Sequence, residues 1–318
     1  MSIEEQLSKA FKHSESSLHC PPSLDIRIKE EYEQMVMGKT VQLKRKGKMS
    51  KIAAIALVVV LLCGFAYGSK FLFSDSTNFL SYEFYSSEAY DLKQETFEEA
   101  RAAIKQVQSQ LKPGEAAIVY LPEALKEFPL YPVTKPDYIS NKHEWQLVLD
   151  EQGITEQLPD SILEGAFQFE AGAINNYPII GLDQNDLIAE MEAEKKVSNN
   201  DQPIWRLTEL TTNSSIPSYI SVYRAENGEA IHLTLEVHDE VVKIEGFTST
   251  STEYEEYNLN GKKAHYTKNN QALLGDSGVL QNVMWMEEKD GKTIIYNVES
   301  DSLNMTKEKL LEAVRSLP

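Results

Sequence analysis

Residues 52–69 read IAAIALVVVLLCGFAYGS, eighteen positions without a charge. As a helix rising ~1.5 Å per residue this run spans ~27 Å, close to the ~30 Å hydrocarbon core of a bilayer. It divides the chain into two parts that must fold in different surroundings. Ile52, Val58, Leu62, Phe65 and Ser69 mark the expected transmembrane helix. The aromatic run Phe71, Leu72, Phe73 is expected to extend it past a snorkelling Lys70. Fifty-one residues precede the run, too many for the basic start of a cleaved signal peptide.

The flanks set the expected orientation. Residues 39–51 carry Lys39, Lys44, Arg45, Lys46, Lys48 and Lys51 and no acid, whereas Asp75, Glu83, Glu88 and Asp91 follow on the other side. The positive-inside bias places the N-terminus in the cytoplasm and residues 70–318 outside the cell membrane. Charge divides the same way. Residues 1–51 hold ten Lys/Arg and seven Asp/Glu, net +3, and residues 70–318 hold twenty-one and forty-two, net −21. So acidic an outer part has no footprint for nucleic acid or anionic lipid. Its lack of cysteine, with Cys20 and Cys63 the only two in the chain, argues against a disulfide-stapled secreted domain and fits a bacterial, Gram-positive surface.

The tail shows two short amphipathic stretches. Ile3, Leu7, Ala10 and Phe11 share one helical face; Leu24, Ile28, Tyr32, Met35 and Val36 share another, after Cys20-Pro21-Pro22 and a capping Ser23. Two such helices bury little alone, so Leu7, Phe11, Leu24, Ile28 and Tyr32 are expected to bind a cytosolic protein partner.

Outside, Thr96-Phe97-Glu98-Glu99 reads as a capping box opening a helix over 96–112, with Phe97, Ala100, Ile104, Val107 and Leu111 as its stripe. AAIVYL (116–121) reads as a buried strand, the four prolines of 122–136 as an irregular crossing, and 145–149 as a short strand. Phe167, Phe169, Ala171 and Ala173 alternate as in a half-buried strand. PSYISVYRA and AIHLTLEVH flank an Asn227-Gly228 turn; further hairpins cross Asn260-Gly261 and Asp290-Gly291, and a last helix covers about 306–317.

The expected fold class is therefore α+β: an antiparallel sheet with packed helices outside, one transmembrane helix and a short helical cytosolic tail. The expected divisions are a cytosolic tail (1–50), a membrane helix (51–70), an outer α/β segment (71–150) and an outer antiparallel α+β domain (151–318).

No catalytic, cofactor or metal residues stand out, and the chain reads as a non-enzyme. His232 and His238 share a strand face but lie ~20 Å apart along it, too far for one metal ion. His19-Cys20 lacks the second cysteine a zinc site needs, since Ser23 stands there. No G-x-S-x-G motif or phosphate loop is present. Tyr254, Tyr257 and Tyr266 read as cross-strand packing rather than a ligand groove.

Two resemblances add to this. YNLNGKKAHYTKN, VMWMEEKDGKTIIYNVES and the closing EKLLEAVRSL resemble an uncharacterised extracytoplasmic domain family of Gram-positive bacteria over about 155–318. The segment PPSLDIRIKEEYEQM, leading through a basic stretch into the apolar run, resembles membrane anti-sigma-factor proteins. The second resemblance implies an envelope sensor or regulator with a sigma factor as cytosolic partner and an outer ligand left open. A membrane-tethered cell-wall accessory protein is the other expectation.

Overall fold

The computed structural model describes residues 69–126, 128–178, 184–198, 202–208, 215–259 and 261–317. In chain order the elements are β1 (Lys70–Ser76), β2 (Leu80–Ser86), a 3-10 turn (Glu88–Tyr90), α1 (Gln94–Gln110), β3 (Ala116–Tyr120), β4 (Leu130–Thr134), β5 (Asp137–Ile139), α2 (Lys142–Glu151), β6 (Ser161–Ile162), β7 (Phe167–Pro178) and α3 (Asn185–Val197). They continue with β8 (Trp205–Thr208), β9 (Ser215–Arg224), β10 (Ala230–His238), β11 (Val242–Thr248), β12 (Glu253–Leu259), β13 (Lys262–Asn269), β14 (Leu280–Lys289), β15 (Lys292–Ser300) and α4 (Lys307–Arg315).

This corrects the expected α+β class. Fifteen strands in three sheets dominate the described chain, and four α-helices are peripheral to them. Among the described residues no helix is long and apolar enough to cross a membrane. Lys70–Ser86 forms the β1–β2 hairpin, and the proline-rich stretch expected as an irregular crossing contains β4, where Pro132 is tolerated because β4 is an edge strand. Leu7, Phe11, Leu24, Ile28, Tyr32, Ile52, Val58, Leu62 and Phe65 lie outside the described residues. Ser69 is described and is exposed coil directly before β1.

The central sheet is antiparallel, ordered β12-β13-β14-β15-β10-β9-β7-β5, with β6 added to β7. The Asn227-Gly228 and Asp290-Gly291 turns set its register as expected: Gly228 and Gly291 take positive φ, as does Asp290. One face is the main core. Leu233, Leu235, Val283, Ile294 and Val298 meet Trp145 and Leu149 of α2 and Leu310, Leu311 and Val314 of α4. A helix over 145–149, where a strand was expected, follows from Asn141: its side chain accepts the first free N–H groups, from His143 and Glu144, at 3.0 and 3.3 Å. Asn141→Ala is expected to cost about 1 kcal/mol of stability, read as a shift in urea midpoint at unchanged slope.

α1 begins at Gln94 after Lys93, two residues before the expected capping box, and no side chain caps it. Ala100, Ile104, Val107 and Leu111 of its expected stripe are buried against Ala117, Val119 and Val133 of the small sheet β4-β3-β8. β8 completes that sheet from a distant part of the chain.

The third sheet, β1-β2-β11, pairs β11 parallel to β2. Phe73, expected at the membrane surface, is a core residue here, 4% exposed and stacked at 3.9 Å on the fully buried ring of His265. Tyr254 Oη lies 3.1 Å from His265 Nδ1, and Asp75 Oδ2 lies 3.5 Å from Nε2. Burial raises the Asp75 carboxyl, but hydrogen bonds from His265 and the Ser76 N–H, with the charges of His265 and Lys263, hold it below the ordinary range.

Candidate functional site

β10 alternates strictly. Ile231, Leu233 and Leu235 enter the main core; His232, Thr234, Glu236 and His238 lie on the opposite face. Register extends this polar stripe sideways. On β15, Glu299 stands opposite His232 and Asn297 opposite Thr234. Asn282 of β14 stands opposite Glu299. Ser218 of β9 stands opposite Glu236 and is itself opposite Asn175 of β7, two residues from Tyr177. A register shift between Phe169 and Ala171 sends Phe169 to the main core and Ala171 and Ala173 to this second face.

The two smaller sheets meet this face. Phe73 and Leu80 pack on Met284 and Ile295, with Tyr82 and Ile244 alongside. Tyr131 of β4 comes within electrostatic reach of Tyr177. Glu236 and Glu299 are therefore half-buried, with 23% and 27% of their side chains exposed, and both are reached from solvent.

The electrostatics follow from that placement. Burial, then the charges of Asp301 and Glu236, push the Glu299 carboxyl up to about 7. Burial raises the Tyr82 phenol, with Glu236 adding to it. Burial raises Tyr177 too, helped by Glu299, Tyr131 and Glu236. Both phenols stay protonated as hydrogen-bonding groups. Burial pushes His232 down; Asp301 and Glu170 oppose this and Arg224 reinforces it. The Arg224 guanidinium is engaged elsewhere, donating to Glu170 at 2.8 Å and to the Gly228 carbonyl at 3.0 Å.

Polar groups on this face are incompletely paired. Ser218 Oγ donates to Glu236 at 3.3 Å, and Asn282 Nδ2 donates to Asn297 at 3.1 Å. Thr234 Oγ1, Asn282 Oδ1 and His238 Nε2 have no hydrogen-bond partner, although Thr234 is 8% exposed and His238 7%. His238 Nε2 stands 3.6 Å from Glu236 Oε2 and His232 Nδ1 4.0 Å from Glu299 Oε1. Buried polar atoms are nearly always paired, so unpaired ones on one sheet face suit a place where another molecule supplies the partners. A carboxyl that titrates near neutrality can hold a proton there.

A second concavity, about 710 Å³, lies between α1 and the end of β3, lined by Glu99, Gln106, Tyr120, Glu123 and Lys195 among others. None of the unpaired buried atoms falls in it. Among the described residues no group of three or more His, Cys, Asp and Glu side chains is gathered as a metal ion needs.

Of the histidines weighed in the sequence, His232 and His238 share the polar stripe as expected, and His265 belongs to the Phe73 stack. Tyr266 donates across to Gln281 of β14 at 2.9 Å, as cross-strand packing expects, whereas Tyr254 packs on Phe73 of another sheet and Tyr257 donates to Glu255 of its own strand. Sequence reasoning missed Tyr82, Tyr177, Thr234, Glu236 and Glu299. The alternation in HLTLEVH carried part of the signal. Comparisons with family models, curated proteins and solved structures found no match for this chain.

Proposed function

We propose that the protein is a membrane-anchored regulator or envelope sensor whose outer β module is a non-catalytic binding module. The observation that carries the outer half is the polar stripe of the central sheet, where Thr234 is buried without a hydrogen-bond partner beside Glu236 and Glu299. The uncharged run at 52–69 and its basic flank support an anchor in the cell membrane with the N-terminus in the cytoplasm. The tail, through Leu7, Phe11, Leu24, Ile28 and Tyr32, would fold on a cytosolic protein of the sigma-factor kind. In the alternative reading the chain is a tethered cell-wall accessory protein, which the acidic outer part also suits.

Deleting residues 2–40 separates the two. The regulator reading expects the deletion to reproduce the transcript changes of a complete knockout. Wild-type transcripts in the deletion strain would refute it and leave the accessory reading.

A further inference from the structure

We infer that the outward face of the sheet β1-β2-β11 is a membrane-contact surface, with a row of aromatic rings seated in the lipid headgroup layer. This rests on the reading of residues 52–69 as an anchor and names the first partner the outer module meets.

Strand register builds the row. Phe71 of β1 stands opposite Tyr85 of β2, and Tyr85 stands opposite Phe247 of β11. The ring centroids are 5.6 Å apart at each step. Tyr90 of the 3-10 turn extends the row, its ring stacked 5.9 Å from that of Phe247. A register shift between Phe71 and Phe73 sends the two rings to opposite faces. Phe73 enters the core with Tyr82, Phe84 and Ile244, whereas none of the four rings in the row belongs to a core cluster of the described residues. Phe71 is 52% exposed and the other three are half-buried.

The same face becomes ionic further along the strands. Two residues from the row, Glu83 of β2 stands opposite Glu245 of β11, and Lys243 bridges them at 3.3 and 2.8 Å. The Tyr85 hydroxyl donates to Glu83 at 2.7 Å, so the phenol points from the row toward this charged band.

Chain continuity decides which end meets lipid. The apolar run ends at Ser69 and β1 begins at Lys70, with no linker between them. β2 runs antiparallel to β1 and β11 parallel to β2, so both strands finish beside Phe71. An extended chain covers at most ~3.6 Å per residue, which holds Phe71 within about 7 Å of Ser69. That matches a headgroup layer of roughly 5–8 Å on each side of the hydrocarbon. The charged band, ~7 Å further along the strands, then stands in water. Aromatic rings are favoured at headgroup depth. The exposed charges at this end, Lys70, Glu88 and Asp91, are of both signs, so the rings rather than net charge hold the face, and a zwitterionic lipid suffices.

The test is spin-label accessibility on the full chain in phosphatidylcholine nanodiscs, with discs in excess over chains. Cys20 and Cys63 are first replaced by serine and alanine. A nitroxide is then attached at Phe247→Cys or, as the comparison, at Lys243→Cys, ~13 Å away on the same face. We expect the label at 247 to lose access to a water-soluble nickel chelate while the label at 243 keeps it. Added salt should change neither. Serine at Phe71, Tyr85 and Tyr90 should return the chelate to 247, with the urea midpoint reporting that the fold is kept. Equal access at 247 and 243 overturns the inference, as does shielding at 247 that survives the three serines in a folded chain. Shielding that appears only with several chains per disc also overturns it and assigns the row to a second copy. Alkaline carbonate separates the two readings. If it strips the chain from vesicles, the anchor falls and the inference with it. If the chain stays while 247 remains open to the chelate, the inference alone falls.

Discussion

Replacing Gly172 by alanine is expected to destabilise the protein by about 3–5 kcal/mol, a large share of the 5–15 kcal/mol that holds a typical domain folded. Gly172 is paired with Ser221 on the core face of the central sheet, beneath Trp145 of α2. A Cβ built there would lie 2.0 Å from Trp145 Cδ2 and 2.2 Å from Cγ. Neither neighbour yields easily. The indole is fully buried, and its Nε1 donates to Ser221 Oγ at 2.8 Å. Moving it strains a packed core, at about 1–3 kcal/mol, and leaves a buried donor unpaired, at about 1–3 kcal/mol more. Trp145→Ala is itself expected to cost about 3–5 kcal/mol. The double variant decides the mechanism. If the methyl group acts through the indole, Gly172→Ala costs little once Trp145 is alanine, and the two effects fall well short of adding. Urea unfolding of the full chain, followed by the circular dichroism of the strands, reads all four stabilities. Additive effects would show that Gly172 matters for its backbone alone.

That glycine shows where the sequence was legible and where it was not. The hairpins at Asn227-Gly228 and Asp290-Gly291 were readable because turn chemistry is local: a positive φ is needed within the turn itself. The closing helix was readable because Thr306 caps it, accepting from the Lys309 N–H, and Leu310 and Val314 repeat on one face. Gly172 gave no such sign, because its constraint comes from an indole twenty-seven residues earlier in the chain. The same holds for the site. HLTLEVH declares that His232, Thr234, Glu236 and His238 share a face, and a polar stripe on a sheet face normally means solvent. What buries it is non-local. β2 precedes the stripe by about 150 residues of chain and β4 comes from a stretch that looked like a crossing loop, and they bring Tyr82 and Tyr131 within electrostatic reach of Glu236 and Tyr177. The fold class went astray for the same reason. Among the strands missed, β4 carries a proline and β8 has four residues with its partner far back in the chain, and a strand's stability resides in its partners.

Glu299→Gln is expected to stabilise the protein by about 3 kcal/mol at pH 8 and by less than about 1 kcal/mol at pH 5. The carboxyl titrates at about 7 in the fold, against an ordinary 4.5. A raised acid favours folding where the folded state holds a proton that the unfolded chain has lost. Relative to acid pH, stability is therefore lost as pH climbs from about 4.5, and the loss is complete once pH has passed about 7. At 1.36 kcal/mol per pKa unit, two and a half units correspond to about 3 kcal/mol of destabilisation in alkaline solution. Glutamine keeps the shape and the hydrogen-bonding edge but carries no charge, so its stability lacks this descent. His232 works the other way. Its pKa is lowered in the fold, so its own contribution grows as pH rises toward 6.5, and it masks part of the loss in the wild type. The informative quantity is the difference between variant and wild type at each pH, in which His232 and the surface groups largely cancel. Repeating the pair in a His232→Asn background removes the neighbour 4.0 Å away and should leave the difference at pH 8 unchanged to within about 0.5 kcal/mol. A difference flat from pH 5 to 8 would mean that Glu299 is ionised throughout, already compensated within the fold. A difference that grows with pH would show that the charge forming on Glu299 goes uncompensated in the fold.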